Sequence, residues 1–516
     1  QLLNAIEGAK NDNKILGIFI DLSDFLGGYP AELIRVTNQL EDFKLSGKFV
    51  IAYSDFFSQS AYIIASPSTE IISYPSGGVL LQGFSSKRLF FKDFFDKIGL
   101  EVINLSEGQF KTAFENLTLS SMSEDDKNQR LNLFSNIWKE ITDVIEVNRE
   151  LNLGSIDYYI NNIDQILAQN GGDWGKASIE YKLIDSLVKR GDLEKYLTGE
   201  YSKDKNEWKH VDYRDYFKSK ENNNEENTVA VINILGPIID GYQTSGVASG
   251  DNISALFDKA IKNDQVKAIV VRVNTPGGSV FASELIRDAL IRVKEKNIPV
   301  VTSMGGVAAS GGYWVAASTD YIFAEDLTIT GSIGVASVIF NAEETFNKIG
   351  LNEDGVSSSV FSDTYRGIYS KRPDERLINL NKIIIQNIYD KFINLVSEGR
   401  NMSIKEVNKL AKGKVWIGKD ALKFNLIDEI GSLDDAIEKA ANLAEIDKYD
   451  VERIYNKKSR FSNFLPFLIN EIGMKNEILN KNLDIEYRFE ALFNNISNYN
   501  DPKALYYLCG TCLFIN

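Results

Sequence analysis

The sequence predicts an α/β protein in which one domain occurs twice in tandem. The tetrapeptide ELIR at residues 32–35 recurs 252 residues later at 284–287, and KIGL at 97–100 recurs after 251 residues at 348–351. Two unrelated tetrapeptides at almost one spacing indicate a duplication. The period is far longer than that of a solenoid repeat, so we expect two copies of a whole domain.

Each copy alternates short apolar runs with helix-length amphipathic stretches, which is typical of strands joined by crossover helices. In the first copy we predict strands at 15–22 and 49–53 with a helix at 31–43 between them. In the second copy the predicted strands are 229–234, 268–273 and 300–302, with a helix at 282–296.

The chain length and one polar stretch predict the domain boundaries. A chain of 516 residues exceeds what one hydrophobic core usually serves. Residues 218–227 are charged and rich in asparagine, with almost nothing to bury, and therefore read as a linker. The sequence thus predicts a first repeat at 1–217, a linker at 218–228, a second repeat at 229–458 and a tail at 459–516.

The charge pattern argues against nucleic acid as a partner. The formal net charge is −15 with an isoelectric point near 4.9, and no basic tract interleaved with aromatic residues is present. No apolar run approaches the roughly 20 residues that span a bilayer, and no signal region opens the sequence. We expect any membrane attachment to come from a segment that precedes Gln1.

Cys509 and Cys512 are the two cysteines of the chain. One CxxC pair without a second pair cannot complete a four-ligand zinc site. A disulfide, two free thiols and one half of an intermolecular metal site therefore remain open, and the redox compartment is undecided.

Two glycine-rich turns follow predicted strands and carry the candidate chemistry. NTPGGS at 274–279 and MGGVAASGG at 304–312 each expose backbone N–H groups at the start of a helix, where an anion is favoured. Taken singly, each turn is more typical of tight packing than of catalysis. Together they can supply two N–H donors to one oxyanion, with Ser310 beside them as a nucleophile.

A serine nucleophile needs a base, and the composition restricts the choice. His210 is the one histidine, and it stands in a polar stretch that we expect to be exposed, so we expect His210 to be structural or idle. A Ser-Lys arrangement is the remaining possibility, in which burial lowers the pKa of a lysine from near 10.4 toward neutrality. The composition alone does not say which lysine.

At this point the motifs carry a family resemblance. RVNTPGGS at 272–279, MGGVAASGGYW at 304–314 and LTITGSIG at 327–334, in this order, closely resemble the long form of the signal peptide peptidase A family. The resemblance spans both repeats. It implies a tandem duplication of a ClpP/crotonase-like ββα spiral domain, with the catalytic serine in the second repeat and the catalytic lysine in the first.

The resemblance also implies roles for individual residues. Ser310 falls on the nucleophile, Lys111 on the general base, and Ser332 on the hydroxyl that hydrogen-bonds the lysine amine. We expect the N–H groups of Gly278 and Gly311 to form the oxyanion hole. No metal or cofactor is expected.

For the whole protein, the resemblance implies a membrane-attached homotetramer on the outer side of the bacterial cytoplasmic membrane. Its substrates would be the remnant signal peptides left after preprotein processing.

Equivalent positions in the two copies support, independently of the family, a site whose serine and lysine come from different copies. Lys111 lies eleven residues after Leu100, and the same step from Leu351 reaches Ser362, in a segment without lysine. Ser58 aligns with Ser310, but Gln59-Ser60-Ala61 replaces the glycines that follow Ser310. We therefore expect the second copy to have lost the base and the first copy to have lost the nucleophile turn.

Two other functions remain open from the sequence. The same fold supports acyl-CoA hydratases and isomerases, which use carboxylates as acid and base, although neither glycine-rich turn contains an acidic residue. An inactive scaffold that binds membrane proteins is the second alternative, but retention of both Ser310 and Lys111 argues against it.

Overall fold

The computed structural model describes residues 2–205, 207–218, 225–242, 247–362, 368–455, 501, 505–509 and 511–512, which fall into two compact units. The first unit takes its residues from 1–86 and 132–224, and the second from 87–131 and 225–514. Residues 87–131, which belong to the first sequence repeat, thus pack with the second. The predicted bounds of the two repeats and of the linker describe the duplication in the sequence, not these two units, and they stay a prediction.

The described strands number nineteen. They are β1 Gly17–Asp21, β2 Phe49–Ser54, β3 Glu70–Ser73, β4 Glu101–Asn104, β5 Ser186–Leu187, β6 Thr228–Leu235, β7 Ile238–Ile239, β8 Ala248–Ser249, β9 Val266–Thr275, β10 Gly277–Ser279, β11 Val300–Ala309, β12 Tyr321–Ala324, β13 Ile329–Gly331, β14 Val338–Asn341, β15 Ile368–Tyr369, β16 Val415–Ile417, β17 Glu429–Ile430, β18 Asp450–Arg453 and β19 Tyr506–Leu508.

The described α-helices also number nineteen, and Arg190–Asp192 forms a 3₁₀ turn. The helices are α1 Leu2–Lys10, α2 Pro30–Leu45, α3 Gln59–Ala65, α4 Lys92–Ile98, α5 Glu115–Thr118, α6 Glu124–Asn148, α7 Ser155–Asn161, α8 Ile163–Gln169, α9 Trp174–Glu180, α10 Leu193–Tyr201, α11 Tyr213–Lys218, α12 Gly250–Ile261, α13 Val280–Lys294, α14 Gly311–Ala316, α15 Glu343–Lys348, α16 Glu375–Gly399, α17 Ile404–Leu410, α18 Gly418–Lys423 and α19 Leu433–Leu443.

The first unit is built on a four-stranded parallel sheet in the order β1-β2-β3-β5. The helix α2 connects β1 to β2, as parallel neighbours require. The predicted strands at 15–22 and 49–53 and the helix at 31–43 are confirmed. Buried positions in β2 follow one another without alternation, which is typical of a parallel sheet covered on both faces.

The second unit has a larger sheet in which β18, β6, β9, β11 and β13 are parallel neighbours and β16 is antiparallel at the far edge. The strands β9 and β11 are almost wholly buried, because helices such as α13 cover them. Ser279 begins α13 by accepting a hydrogen bond from the Ala282 N–H. The three strands and the helix predicted for this half are confirmed.

Two smaller sheets of the second unit bring distant segments to the ends of β9 and β11. In one, β10 lies between β7 and the C-terminal strand β19. In the other, β4 pairs antiparallel with β14. The first of these sheets carries a glycine-rich turn, and the second carries the chain that leads to Lys111.

The C-terminal cysteines form a disulfide, Cys509–Cys512, and both are buried. This pairing decides between the three states left open by the sequence. Tyr506 and Tyr507 pack within the second unit, whereas the tail between 456 and 500 lies outside the described residues. In the part of the chain that the structure describes, no helix is long and apolar enough to cross a bilayer.

Candidate active site

Ser310 occupies a sharp turn between β11 and α14. Its backbone has φ 57° and ψ −112°, a conformation that L-residues rarely adopt. Such strain costs about 1–3 kcal/mol and is concentrated at functional sites. The Ser310 N–H donates to the Gly331 carbonyl at 2.8 Å, and its carbonyl accepts from the Trp314 N–H at 2.8 Å. These bonds fix the main chain, while the hydroxyl makes no helix-capping bond.

The corresponding serine of the first copy has a different structure. Ser58 has ordinary extended dihedrals, φ −66° and ψ 163°, and its hydroxyl accepts a hydrogen bond from the Ala61 N–H. It is therefore the N-cap of α3, a structural role. This contrast agrees with the choice of Ser310 over Ser58 as the candidate nucleophile.

A β-ladder delivers Lys111 to Ser310. The pairing of β4 with β14 continues through an antiparallel bridge between Glu107 and Val335. Beyond it, the Phe110 N–H donates to the Lys412 carbonyl at 2.7 Å. Because this register is fixed, Lys111 lies next to Ser332, although the two residues are 221 positions apart in the sequence.

The amine of Lys111 makes three close contacts. Its Nζ lies 2.6 Å from Ser310 Oγ, 2.7 Å from the Ser332 carbonyl oxygen and 3.1 Å from Ser332 Oγ. A neutral amine has two N–H donors and one lone pair. The two oxygens of Ser332 can accept both donors, which leaves the lone pair to accept the Ser310 O–H. The geometry thus suits proton transfer from serine to lysine.

Burial of Lys111 favours the neutral form of its amine over the charged form. The Lys111 side chain is 5% exposed, and removal from water lowers its pKa well below the ordinary value of 10.5. Its three contacts are all uncharged oxygens. No carboxylate among them offsets the desolvation of the ammonium form.

Two glycines make room for Lys111, and the sequence analysis predicted no role for either, although Gly334 ends the LTITGSIG motif. A side chain at Gly413 would place its Cβ 2.4 Å from the Lys111 backbone nitrogen, and Gly413 also has a positive φ of 85°. At Gly334 a Cβ would come within 3.1 Å of Lys111 Cδ. Both positions therefore favour glycine for reasons of space.

A buried ionic cluster holds the residue after Lys111. The Thr112 hydroxyl donates to Asp126 at 2.7 Å. Arg88 and Arg130 bind the other carboxylate oxygen of Asp126 at 2.6 and 3.0 Å. Arg88 also donates to the Thr112 carbonyl at 3.3 Å. This cluster was not predicted from the sequence. Its charged members are ordinary residues spread between Arg88 and Arg130, without a recognisable motif.

The two predicted oxyanion donors have different environments. Gly311 is the first residue of α14, so its N–H has no partner within the helix. Gly277 rather than Gly278 lies against it, because a Cβ on Gly277 would be 2.7 Å from the Gly311 nitrogen. Any side chain at Gly278 would collide with the Ile238 carbonyl, 1.9 Å from the Cβ position.

The N–H of Gly278 faces the C-terminal strand. Gly278 pairs with Tyr507 in the antiparallel ladder, and two residues away the Cys509 N–H donates to the Pro276 carbonyl. Because hydrogen-bonded pairs alternate in such a ladder, Gly278 and Tyr507 form the next hydrogen-bonded pair. The role of Gly278 as an oxyanion donor stays a prediction.

His210 belongs to the first unit and is exposed, as expected. Within the described ranges, no group of three or more His, Cys, Asp or Glu side chains could hold a metal ion. The ionisable group beside Ser310 is the buried lysine. A serine in a strained strand-to-helix turn, with such a lysine within hydrogen-bonding distance, is the arrangement that a Ser-Lys serine hydrolase uses.

Comparison with known proteins assigns the family. The model of peptidase family S49 matches residues 42–198 and again 292–447, and the Clp protease model matches 247–323. The chain is 33% identical to Protease 4 of Salmonella typhi, covering 99% of this chain and 83% of the relative. It is also 33% identical to Protease 4 of Haemophilus influenzae, covering 98% and 84%.

A shorter relative matches part of the chain. A putative signal peptide peptidase SppA of Enterococcus faecium is 30% identical over 49% of this chain and 72% of its own length. The chain therefore belongs to peptidase family S49, and it is a serine protease with two ClpP-like domains in tandem.

Ser332→Ala is expected to lower kcat by about tenfold and to change KM little. The Lys111 amine keeps the Ser332 carbonyl but loses one of its two acceptors, so its lone pair is aimed less accurately at Ser310. Peptide hydrolysis by the purified variant measures the effect. Ser337→Ala, which removes another buried hydroxyl from the same segment, is the control. Equal kcat values for the two variants would show that Ser332 Oγ is not needed.

Proposed function

We propose that this protease is an endopeptidase in which neutral Lys111 activates Ser310. The observation that carries the proposal is the 2.6 Å separation of Lys111 Nζ from Ser310 Oγ within a buried site. A general base must lie within hydrogen-bonding reach of the proton that it removes and must be unprotonated at the working pH. The distance meets the first condition, and the lowered pKa of Lys111 favours the second.

The reaction proceeds through an acyl-enzyme. Lys111 takes the Ser310 proton as Oγ forms a bond to the carbonyl carbon of the scissile peptide. The resulting tetrahedral oxyanion collapses, the C–N bond breaks, and the ammonium of Lys111 gives its proton to the leaving amine. A water molecule then attacks the ester. Lys111 again accepts a proton and returns it to Ser310 as the acid product leaves.

The oxyanion is held by backbone N–H groups of the two glycine-rich turns. The Gly311 N–H at the start of α14 is one donor, and the Gly278 N–H is the second in this proposal. One such donor typically lowers the barrier by about 3 to 4 kcal/mol. For Gly278 to serve, its N–H must turn from the Tyr507 carbonyl toward the substrate.

The proposed substrates are signal peptides that have already been released from preproteins. The Enterococcus faecium relative, 30% identical over 49% of this chain, is named as a putative signal peptide peptidase. Such substrates are apolar and extended. The proposed location is the outer face of the bacterial cytoplasmic membrane, and the proposed assembly is a homotetramer.

The function is tested with the purified chain, a leucine-rich fluorogenic peptide and a fluorophosphonate. We expect cleavage of the peptide and stoichiometric labelling of Ser310, because a fluorophosphonate reacts with an activated serine. The acyl-CoA hydratase alternative predicts no labelling and hydration of an enoyl-CoA thioester. An inactive scaffold would show neither reaction. Mass mapping of the labelled peptide identifies the serine.

A further inference from the structure

The C-terminal strand β19 is hydrogen-bonded along both edges. On one side it pairs antiparallel with the glycine strand β10, and the Cys509 N–H extends this ladder to the Pro276 carbonyl at 2.9 Å. On the other side Tyr506 exchanges two hydrogen bonds with Ala336, at 3.0 and 2.8 Å. The strand is thus built into the second unit rather than laid on its surface.

Asp501 ties the start of this segment to the end of the glycine strand. Its carboxylate accepts the Ser279 hydroxyl at 2.8 Å and the Phe281 N–H at 3.0 Å. The Phe281 N–H is one of those that α13 cannot satisfy internally. The Leu505 N–H closes back on the same carboxylate at 3.2 Å. Hydrogen bonds to an ionised acceptor are the stronger kind, so Asp501 fixes the junction of β10 and α13.

Tyr507 connects the same strand to the nucleophile helix. Its side chain is 1% exposed and stacks on Trp314 of α14, with ring centroids 4.9 Å apart. Phe392 contacts it at the same distance. Burial of an aromatic side chain contributes strongly to stability, so β19 is held firmly where it lies. The packing therefore favours a supporting role over an occluding one.

The disulfide turn links the end of this segment to the strands that hold Ser310. Thr511, within the Cys509–Cys512 turn, accepts a hydrogen bond from the Gln129 side chain at 3.2 Å. The carbonyl of the same side chain accepts the Val415 N–H at 3.2 Å. Val415 is the register partner of Gly331, whose carbonyl holds the Ser310 N–H. The segment is therefore linked to the glycine strand β10 and also to Gly331, which holds the Ser310 backbone.

We propose that Asp501, residues 505–509 and residues 511–512 together form a positioning element of the active site, in which Asp501 is the positioning residue and the Cys509–Cys512 disulfide holds the end in place. The element sets the place of β10 relative to Ser310 and, through the stacking of Tyr507 on Trp314, the place of α14, whose first N–H is the Gly311 donor. The inference rests on the proposed hydrolytic function for its kinetic consequence. The structural consequence of the inference is that β10 is well ordered, and this consequence is independent of the proposed function.

Asp501→Asn is the first test, because it keeps the shape of the side chain and removes its charge. We expect kcat to fall by about 10- to 100-fold, KM to stay within about threefold, and the rate of fluorophosphonate labelling to fall with kcat. Asp447→Asn, an exposed site in the same unit, is the matched control. Unchanged kcat in Asp501→Asn, or a rise in activity, would overturn the proposal, since a rise would mean that the segment blocks the site.

The role of the Cys509–Cys512 disulfide is tested by adding a reductant and with the double variant Cys509→Ala/Cys512→Ala. Reduction of the parent should lower kcat, reoxidation should restore it, and the double variant should stay at the reduced level in both conditions. Amide hydrogen exchange in peptides covering 276–282 should become faster in Asp501→Asn and after reduction. If the parent cleaves no peptide, the proposed function fails, whereas unchanged exchange in these peptides refutes the positioning element itself.

Discussion

Ser310→Ala is expected to lower kcat/KM for peptide cleavage by about 10⁵-fold, to the level left by binding and oxyanion stabilisation alone. The variant cannot form the acyl-enzyme, so no other side chain can substitute by a small adjustment. The hydroxyl is fully buried and bonded to Lys111 at 2.6 Å. Hydrolysis of the leucine-rich peptide and fluorophosphonate labelling measure the loss.

Ser58→Ala is the matched control for Ser310→Ala. It removes the equivalent hydroxyl of the other copy, which caps α3. We expect activity within about twofold of the parent and a loss of about 1 kcal/mol of stability, typical of a lost N-cap. If Ser58→Ala abolished cleavage and Ser310→Ala did not, the nucleophile would lie in the first copy and the reading of the divided repeat would be wrong.

Lys111→Met is expected to lower kcat by about 10⁴-fold, the upper range for loss of a general base. The substitution keeps much of the side-chain volume but removes the acceptor of the Ser310 proton. In the parent, activity should rise with pH through the lowered pKa of Lys111 and become level well below pH 10.5. The small residual activity of Lys111→Met should lack this titration. Lys87→Met, at an exposed lysine of the same segment, should keep the parent profile.

The same variant has a predicted effect on stability, and its sign follows from proton linkage. Because the folded pKa of Lys111 lies below its unfolded value, the unfolded chain binds one more proton at pH values between the two. The parent's free energy of unfolding should therefore rise with pH in this window, by about 1.4 kcal/mol per pH unit from this group. It falls as the pH drops toward the folded pKa.

Lys111→Met should lose that contribution to the slope and be relatively more stable at the acidic end of the window. Urea denaturation of the parent and the variant at several pH values between 7 and 10 compares the two slopes. Parallel stability curves would show that the buried lysine has an ordinary pKa. In that case Lys111 would be protonated at neutral pH and could not act as the base.

The sequence by itself determined those features that repeat or that follow local patterns. The recurrence of ELIR and KIGL indicated the duplication, and runs of buried apolar residues located β6, β9 and β11 correctly. The glycine-rich turn around Ser310 marked a strand-to-helix elbow, because small residues are what a tight turn needs. Lys111 and Ser332 were assigned through motifs of the family, and the structure brings Lys111 to Ser310 and Ser332 to the Lys111 amine.

Tertiary structure alone decided how the site is supported. Lys111 meets Ser310 across 199 residues, and Asp501 meets Ser279 across 222. Such contacts depend on strand register and on which segments share a sheet, and neither leaves a periodic signal in the chain. For the same reason the space reserved at Gly413 and the cluster around Asp126 were settled only by folding. Local sequence encodes elements and turns, whereas long-range packing fixes the distances between reactive atoms.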